Sequence, residues 1–176
     1  MKWIVRCKLI GVAGGMLGVL FMVPDVSAGT HKGFPEKYSD VYMPVSLGVG
    51  TIRTPEFPAV SRWYDILVQV EEPLPFMQMI CMMGVADPLD LKNCSSNDPL
   101  LQADWTVRDG EHIVDHVSIP DRPACKFGNK YIYKLLGSFS GEAGKKYTVE
   151  VKFTKDGTPL NVANPHLIVI QHRKFW

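Results

Sequence analysis

The sequence predicts a mainly β protein: an antiparallel immunoglobulin-like or jelly-roll-like β-sandwich with at most one short helix. Three observations carry that expectation. Residues 63–70 and 146–154 alternate apolar and polar side chains, the period of a half-buried strand. Asp109-Gly110 and Asp156-Gly157 stand between strand-like runs and mark turns. Turn signals recur at intervals of about 8–12 residues, the spacing of sandwich strands.

In chain order, residues 29–42 are polar and mixed, contain Pro35 and follow no period, so they read as a loose lead-in. Residues 42–47 and 57–60 read as short edge strands limited by Pro44, Pro55 and Pro58, because proline cannot donate to a ladder. In 63–70, Tyr64, Ile66, Val68 and Val70 share one face, against Asp65, Leu67 and Gln69. Glu71-Glu72-Pro73 ends that strand. Residues 75–83 admit two readings. As a helix, Pro75 opens it, Gly84 caps it, and Phe76, Met79, Ile80 and Met83 fall on one face. As a strand, Met77, Met79, Cys81 and Met83 would align instead. The placement of the proline and glycine favours the helix.

Residues 101–108 and 111–118 flank Asp109-Gly110, which as the centre of a type I′ turn would hold both residues at positive φ. Residues 131–139 and 146–154 form the next pair. In the latter, Tyr147, Val149, Val151 and Phe153 face one way. Residues 166–175 close the chain, and Leu167-Ile168-Val169-Ile170 is apolar on both faces, as in a central strand.

Ahead of this domain lies a leader. Lys2, Arg6 and Lys8 precede an apolar run, and Val26-Ser27-Ala28 offers small or neutral residues for a cut after Ala28. This is the pattern of a secretory signal peptide. Residues 1–28 are therefore expected to be removed, leaving a single domain at 29–176 that works in the periplasm or outside the cell. The run 9–23, broken by Gly11, Gly14, Gly15 and Gly18, falls short of the roughly 20 apolar residues of a spanning helix. No stable membrane insertion is expected after cleavage.

The whole chain has 19 basic and 18 acidic residues, a net charge of +1. Loss of the leader removes Lys2, Arg6, Lys8 and Asp25, so the balance stays near neutral. With no Lys/Arg block there is no electrostatic case for nucleic acid or for a basic membrane face. Cys81, Cys94 and Cys125 remain in an oxidising compartment, so one bridge is expected. Cys94 and Cys125 lie in polar, loop-like stretches, whereas Cys81 sits inside an apolar run. The expected pair is Cys94–Cys125, with Cys81–Cys94 the alternative, since spacing does not decide connectivity.

No motif assembles a catalytic set. Gly137-Ser138-Phe139-Ser140-Gly141 has Phe where a nucleophile elbow needs Ser. His112 and His116 are spaced i, i+4, but on a strand that puts them about 13 Å apart. The methionines and cysteine of 77–83 suggest a copper or small-ligand chaperone, because thioether and thiolate suit Cu(I). On a helix, however, they spread around the circumference and read as core. Neither a metal nor a cofactor is expected. Among the tryptophans, Trp105 reads as core. Trp176 follows Arg173-Lys174-Phe175, and Arg173, Phe175 and Trp176 are candidate partner-binding residues, since aromatic residues and Arg dominate binding hot spots.

The segments 63–70, 80–84 and Gly144-Lys145-Lys146-Tyr147-Thr148-Val149-Glu150-Val151 resemble a family of small exported proteobacterial domains of unknown function, across about residues 60–172. The resemblance implies a β-sandwich and an exported location and carries over no catalytic residue. Together these features point to an exported, non-enzymatic binding protein. Most concretely, it would be a periplasmic immunity or inhibitor protein for a toxin or enzyme. A metal or small-ligand chaperone and an enzyme of unrecognised type are the alternatives.

Overall fold

A computed structural model describes residues 39–71, 73–84, 94, 99–117, 125–127 and 130–172. The leader 1–28 and the tail residues Arg173, Phe175 and Trp176 lie outside these described residues. Among the described residues ten strands form two antiparallel sheets: β1 Ser39–Pro44, β2 Gly50–Arg53, β3 Phe57–Pro58, β4 Trp63–Glu71, β5 Ala103–Asp109, β6 His112–Val117, β7 Cys125–Phe127, β8 Tyr131–Ser140, β9 Lys146–Phe153 and β10 His166–Gln171. One sheet runs β1-β10-β4-β8-β7. The other runs β2-β9-β5-β6, with β3 pairing on β9. The predicted β-sandwich is therefore present.

The alternation read in 63–70 is what closes it. Tyr64, Ile66, Val68 and Val70 enter the inter-sheet core, where they meet Trp105 and Val107 of β5 and Val149 and Val151 of β9. β10 lies between β1 and β4, and its residues 167–170 are buried on both faces, as their unbroken apolar run requires. Its outward pair, Ile168 and Ile170, joins Leu67 and Tyr133 in a second apolar cluster on the outer face of the first sheet.

Residues 75–83 form the helix: α1 spans Phe76–Met83, preceded by Pro75 and ended by Gly84 at φ 67°. A left-handed terminal residue is the conformation glycine adopts without steric cost. Met79 and Met83 are fully buried and Met82 nearly so, whereas Met77 is 40% exposed, so three of the four methionines of 77–83 are core. A 3-10 helix, Thr158–Ala163, lies between β9 and β10 where the sequence suggested only a turn.

Three expectations are corrected. Residues 131–139 and 146–154 do not pair with each other: β8 lies between β4 and β7 in the first sheet, and β9 lies in the second. The β5–β6 hairpin pairs Asp109 with His112, so its central residues are Gly110 and Glu111 rather than Asp109 and Gly110. Only Gly110 has positive φ, 58°, the φ pattern of a type II′ turn. A bulge at Val114, between the Val107–Asp115 and Arg108–Ile113 pairs, offsets the register.

The disulfide is Cys81–Cys94, with Cα atoms 5.4 Å apart, and not Cys94–Cys125. The reason is the path of the chain. Leu100 and Leu101 return to α1 and donate their N–H groups to the Met82 carbonyl. Leu100 is thus back at the C-terminal end of the helix, and Cys94 lies beside Cys81. Cys125 opens β7, paired with Lys134 on a neighbouring strand. The helix survives the bridge, with Cys81 6% exposed. The bond closes a separation of 13 residues. Its loss in Cys94→Ala is expected to cost about 2–3 kcal/mol in the chain-entropy description. Denaturant titrations of the oxidised wild type and the variant would measure this, and equal midpoints would show that the bridge adds nothing.

Candidate functional site

The best-built exposed feature is the corner between β3 and β4, residues 59–63. Its backbone is tied on every side. Ala59 donates its N–H to the Lys145 carbonyl at 2.8 Å and accepts from Gly144 N–H at 3.1 Å. The Tyr64 hydroxyl accepts from both Val60 N–H, at 2.7 Å, and Ser61 N–H, at 2.9 Å. Gly141 N–H donates to the Arg62 carbonyl at 2.8 Å. A tyrosine reaching back to amides a few residues upstream is the device that holds corners in immunoglobulin-like sandwiches.

The Tyr64 ring is itself locked. It stacks on Phe139 with centroids 5.2 Å apart and is tilted against Phe57 at 5.9 Å. Burial raises its phenol pKa, so the hydroxyl stays neutral at ordinary pH. Gly141 leaves room for the ring, because a Cβ there would lie 2.8 Å from Tyr64 Cε2.

This rigid corner points three side chains outward. Val60 is 64% exposed and Trp63 is 50% exposed. The Arg62 guanidinium lies 5.9 Å from the Trp63 ring centroid, within the range of a cation–π contact. Large apolar residues scattered singly on a surface mean little. Two of them beside an arginine, on a loop with fixed backbone, form a prepared contact surface. Trp63 was not among the candidates named from the sequence, although a signal for it was there. The alternation that turns Tyr64 and Ile66 inward puts Trp63 on the opposite face, with Asp65. A tryptophan on a polar strand face is the available signal. Arg62 and Val60 carried none, because the corner exists only once Tyr64 reaches back.

Two residues along β4, Asp65 is fully buried on the outer face of the same sheet. Ser138 Oγ donates to its carboxylate at 2.6 Å, and His172 Nδ1 lies 2.9 Å from it. Serine and histidine both address the carboxylate and not each other, so this is not the nucleophile–base relay of a hydrolase triad. It fastens the end of β10 to β4 and β8. His172 is thus the last described residue before the predicted partner-binding residues Arg173, Phe175 and Trp176, and it lies on the same sheet face as Trp63.

The remaining sequence candidates lie apart. Gly137 and Gly141 of the false elbow serve packing, against Trp105 and Tyr64 respectively. His112 and His116 stand exposed on β6. His116 edges a shallow polar groove of about 280 Å³ on the second sheet, with Asp104, Glu150 and Lys152. Glu150 there is already matched by Arg108 at 3.2 Å and Arg53 at 3.7 Å. Among the described residues no group of three or more His, Cys, Asp or Glu side chains is placed to hold a metal ion.

One buried charged group has no counterpart among the residues singled out from the sequence. Lys134 of β8, 5% exposed, points into the core and donates its Nζ to the carbonyls of Met83, at 2.9 Å, and Leu101, at 2.8 Å. Burial lowers its pKa to about 8. Its place between Ile132 and Leu136, both inward at the same strand parity, was the available sign. It joins the two ends of the segment between α1 and β5, and so its role is architectural.

The chain matches no family model, no curated protein and no solved structure.

Proposed function

We propose that this is an exported binding protein, most concretely a periplasmic immunity or inhibitor protein that caps a toxin or enzyme reaching that compartment. The observation that carries the reading is the prepared corner: Val60, Arg62 and Trp63 displayed on a backbone fixed by Tyr64. The secretory pattern of residues 1–28 supports the location. The Cys81–Cys94 disulfide is compatible with it, as is the lack, among the described residues, of a helix long and apolar enough to cross a membrane. A rigid loop loses little conformational entropy on binding, which favours function by contact.

Trp63→Ala is the direct test. The side chain is half exposed, so the melting temperature is expected to stay within about 2 °C of wild type. Recovery of a native partner from a periplasmic extract of the host is expected to fall at least tenfold, about 1.4 kcal/mol. Removing Phe175 and Trp176 is the parallel experiment for the tail proposed from sequence. Equal recovery by wild type and Trp63→Ala would take the corner out of the interface.

A further inference from the structure

If the corner is a protein-binding surface, as proposed above, its charge defines the partner. The lysines around it already face carboxylates. Lys145 lies 3.1 Å from Glu142 and 3.4 Å from Asp109, and Lys146 lies 3.0 Å from Glu56. Arg62 faces no carboxylate among the described residues. Its guanidinium rests by the Trp63 ring instead. A ring accepts no conventional hydrogen bond from the guanidinium, so a contact of this kind leaves N–H donors for a partner. Those donors match a carboxylate, which arginine grips with two parallel hydrogen bonds. Val60 and Trp63 supply apolar surface beside it.

The geometry points to a partner segment that carries an aspartate or glutamate next to an aliphatic or aromatic side chain. The carboxylate pairs with Arg62, and the apolar neighbour packs against Trp63 and Val60. A segment with lysine or arginine at that place meets Arg62 as a like charge, which disfavours the wrong partner as much as the carboxylate favours the right one.

The test is panning a random-peptide display library against the immobilised mature protein, in parallel with Arg62→Glu and Trp63→Ala. Arg62 and Trp63 are exposed, and an unchanged melting temperature would confirm that each variant is folded. The wild type is expected to enrich peptides with Asp or Glu adjacent to Leu, Phe or Trp. Arg62→Glu is expected to exchange that acidic position for Lys or Arg. A synthetic peptide of the enriched wild-type sequence is expected to bind Arg62→Glu and Trp63→Ala at least about tenfold more weakly. Enrichment of the same sequences by wild type and Arg62→Glu would overturn the acidic-partner assignment, as would no enrichment by the wild type. If native-partner recovery falls in Trp63→Ala but is unchanged in Arg62→Glu, the corner binds and its partner is not acidic. If neither variant changes recovery, the corner itself is not the interface.

Discussion

Replacing Lys134 with alanine is expected to lower the unfolding free energy by about 4 kcal/mol, the sum of two stranded carbonyls and the space left by the stem. The Met83 and Leu101 carbonyls both depend on its amine. Lys134→Met refills most of the volume and isolates the polar loss. The pH dependence separates the amine from simple packing. Its folded pKa, about 8, lies below the ordinary 10.5. Between those values the unfolded chain holds more protons than the fold, so stability rises with pH. From pH 7 to 9.5 the gain is expected to reach about 2 kcal/mol. The buried ammonium costs the fold about 3 kcal/mol at neutral pH, and most of that cost is lifted by pH 9.5 as the proton leaves. Above pH 10 the raised phenols of Tyr64 and Tyr133 oppose this trend, so the measurement belongs below it. Urea titrations of wild type and Lys134→Met at pH 7, 8.5 and 9.5 would resolve the effect. A slope that persists in Lys134→Met would assign it to another group.

Gly137→Ala is expected to cost about 3 kcal/mol or more, at the upper end of what overpacking does. An added Cβ would lie 2.5 Å from Trp105 Cε2 and Cζ2, and closer still to Nε1. The indole cannot retreat. It is 3% exposed, and its Nε1 donates to the Leu136 carbonyl at 3.1 Å. Gly137 sits opposite Ile66, at the point where β8 bulges against β4, and the bulge turns Leu136 and Gly137 to the same side. Thermal melts with near-ultraviolet circular dichroism would report both the loss of stability and the disturbed tryptophan. A melting temperature within about 2 °C of wild type would show that the backbone opens there without strain, given the 4–8 °C or smaller shift that each kcal/mol produces.

The strands were legible wherever one face is polar. Residues 146–153 show a strict period of two because β9 has a core face and a wetter one, whereas 63–70 show it through Asp65 and Gln69 although both faces of β4 are buried. β2 and β7, with four and three residues, are too short to show any period. The helix of 76–83 could be read because Pro75 and Gly84 act locally. The disulfide could not, since its partners meet only after the chain returns at Leu100 to the Met82 carbonyl. The same division holds at the site. Trp63 was not singled out from the sequence, and its one local sign is an aromatic residue at the strand parity of Asp65 and Gln69. The corner that gives it meaning depends on residues 141–145 closing over residues 59–62, a contact between segments about 80 positions apart that no local pattern encodes.

The tyrosine that holds this corner also shapes how the surface can change over time. Tyr64 grips main-chain amides, and main-chain amides are present whichever side chains stand at positions 60 and 61. Most substitutions at Val60, Arg62 and Trp63 therefore leave the scaffold intact, provided they add no proline at a donated amide and remain compatible with the local backbone. Mutations there should alter the displayed surface with little effect on whether the chain folds. Changes at these three positions could accumulate one at a time, each nearly neutral for stability, so the surface is free to vary while the fold is held.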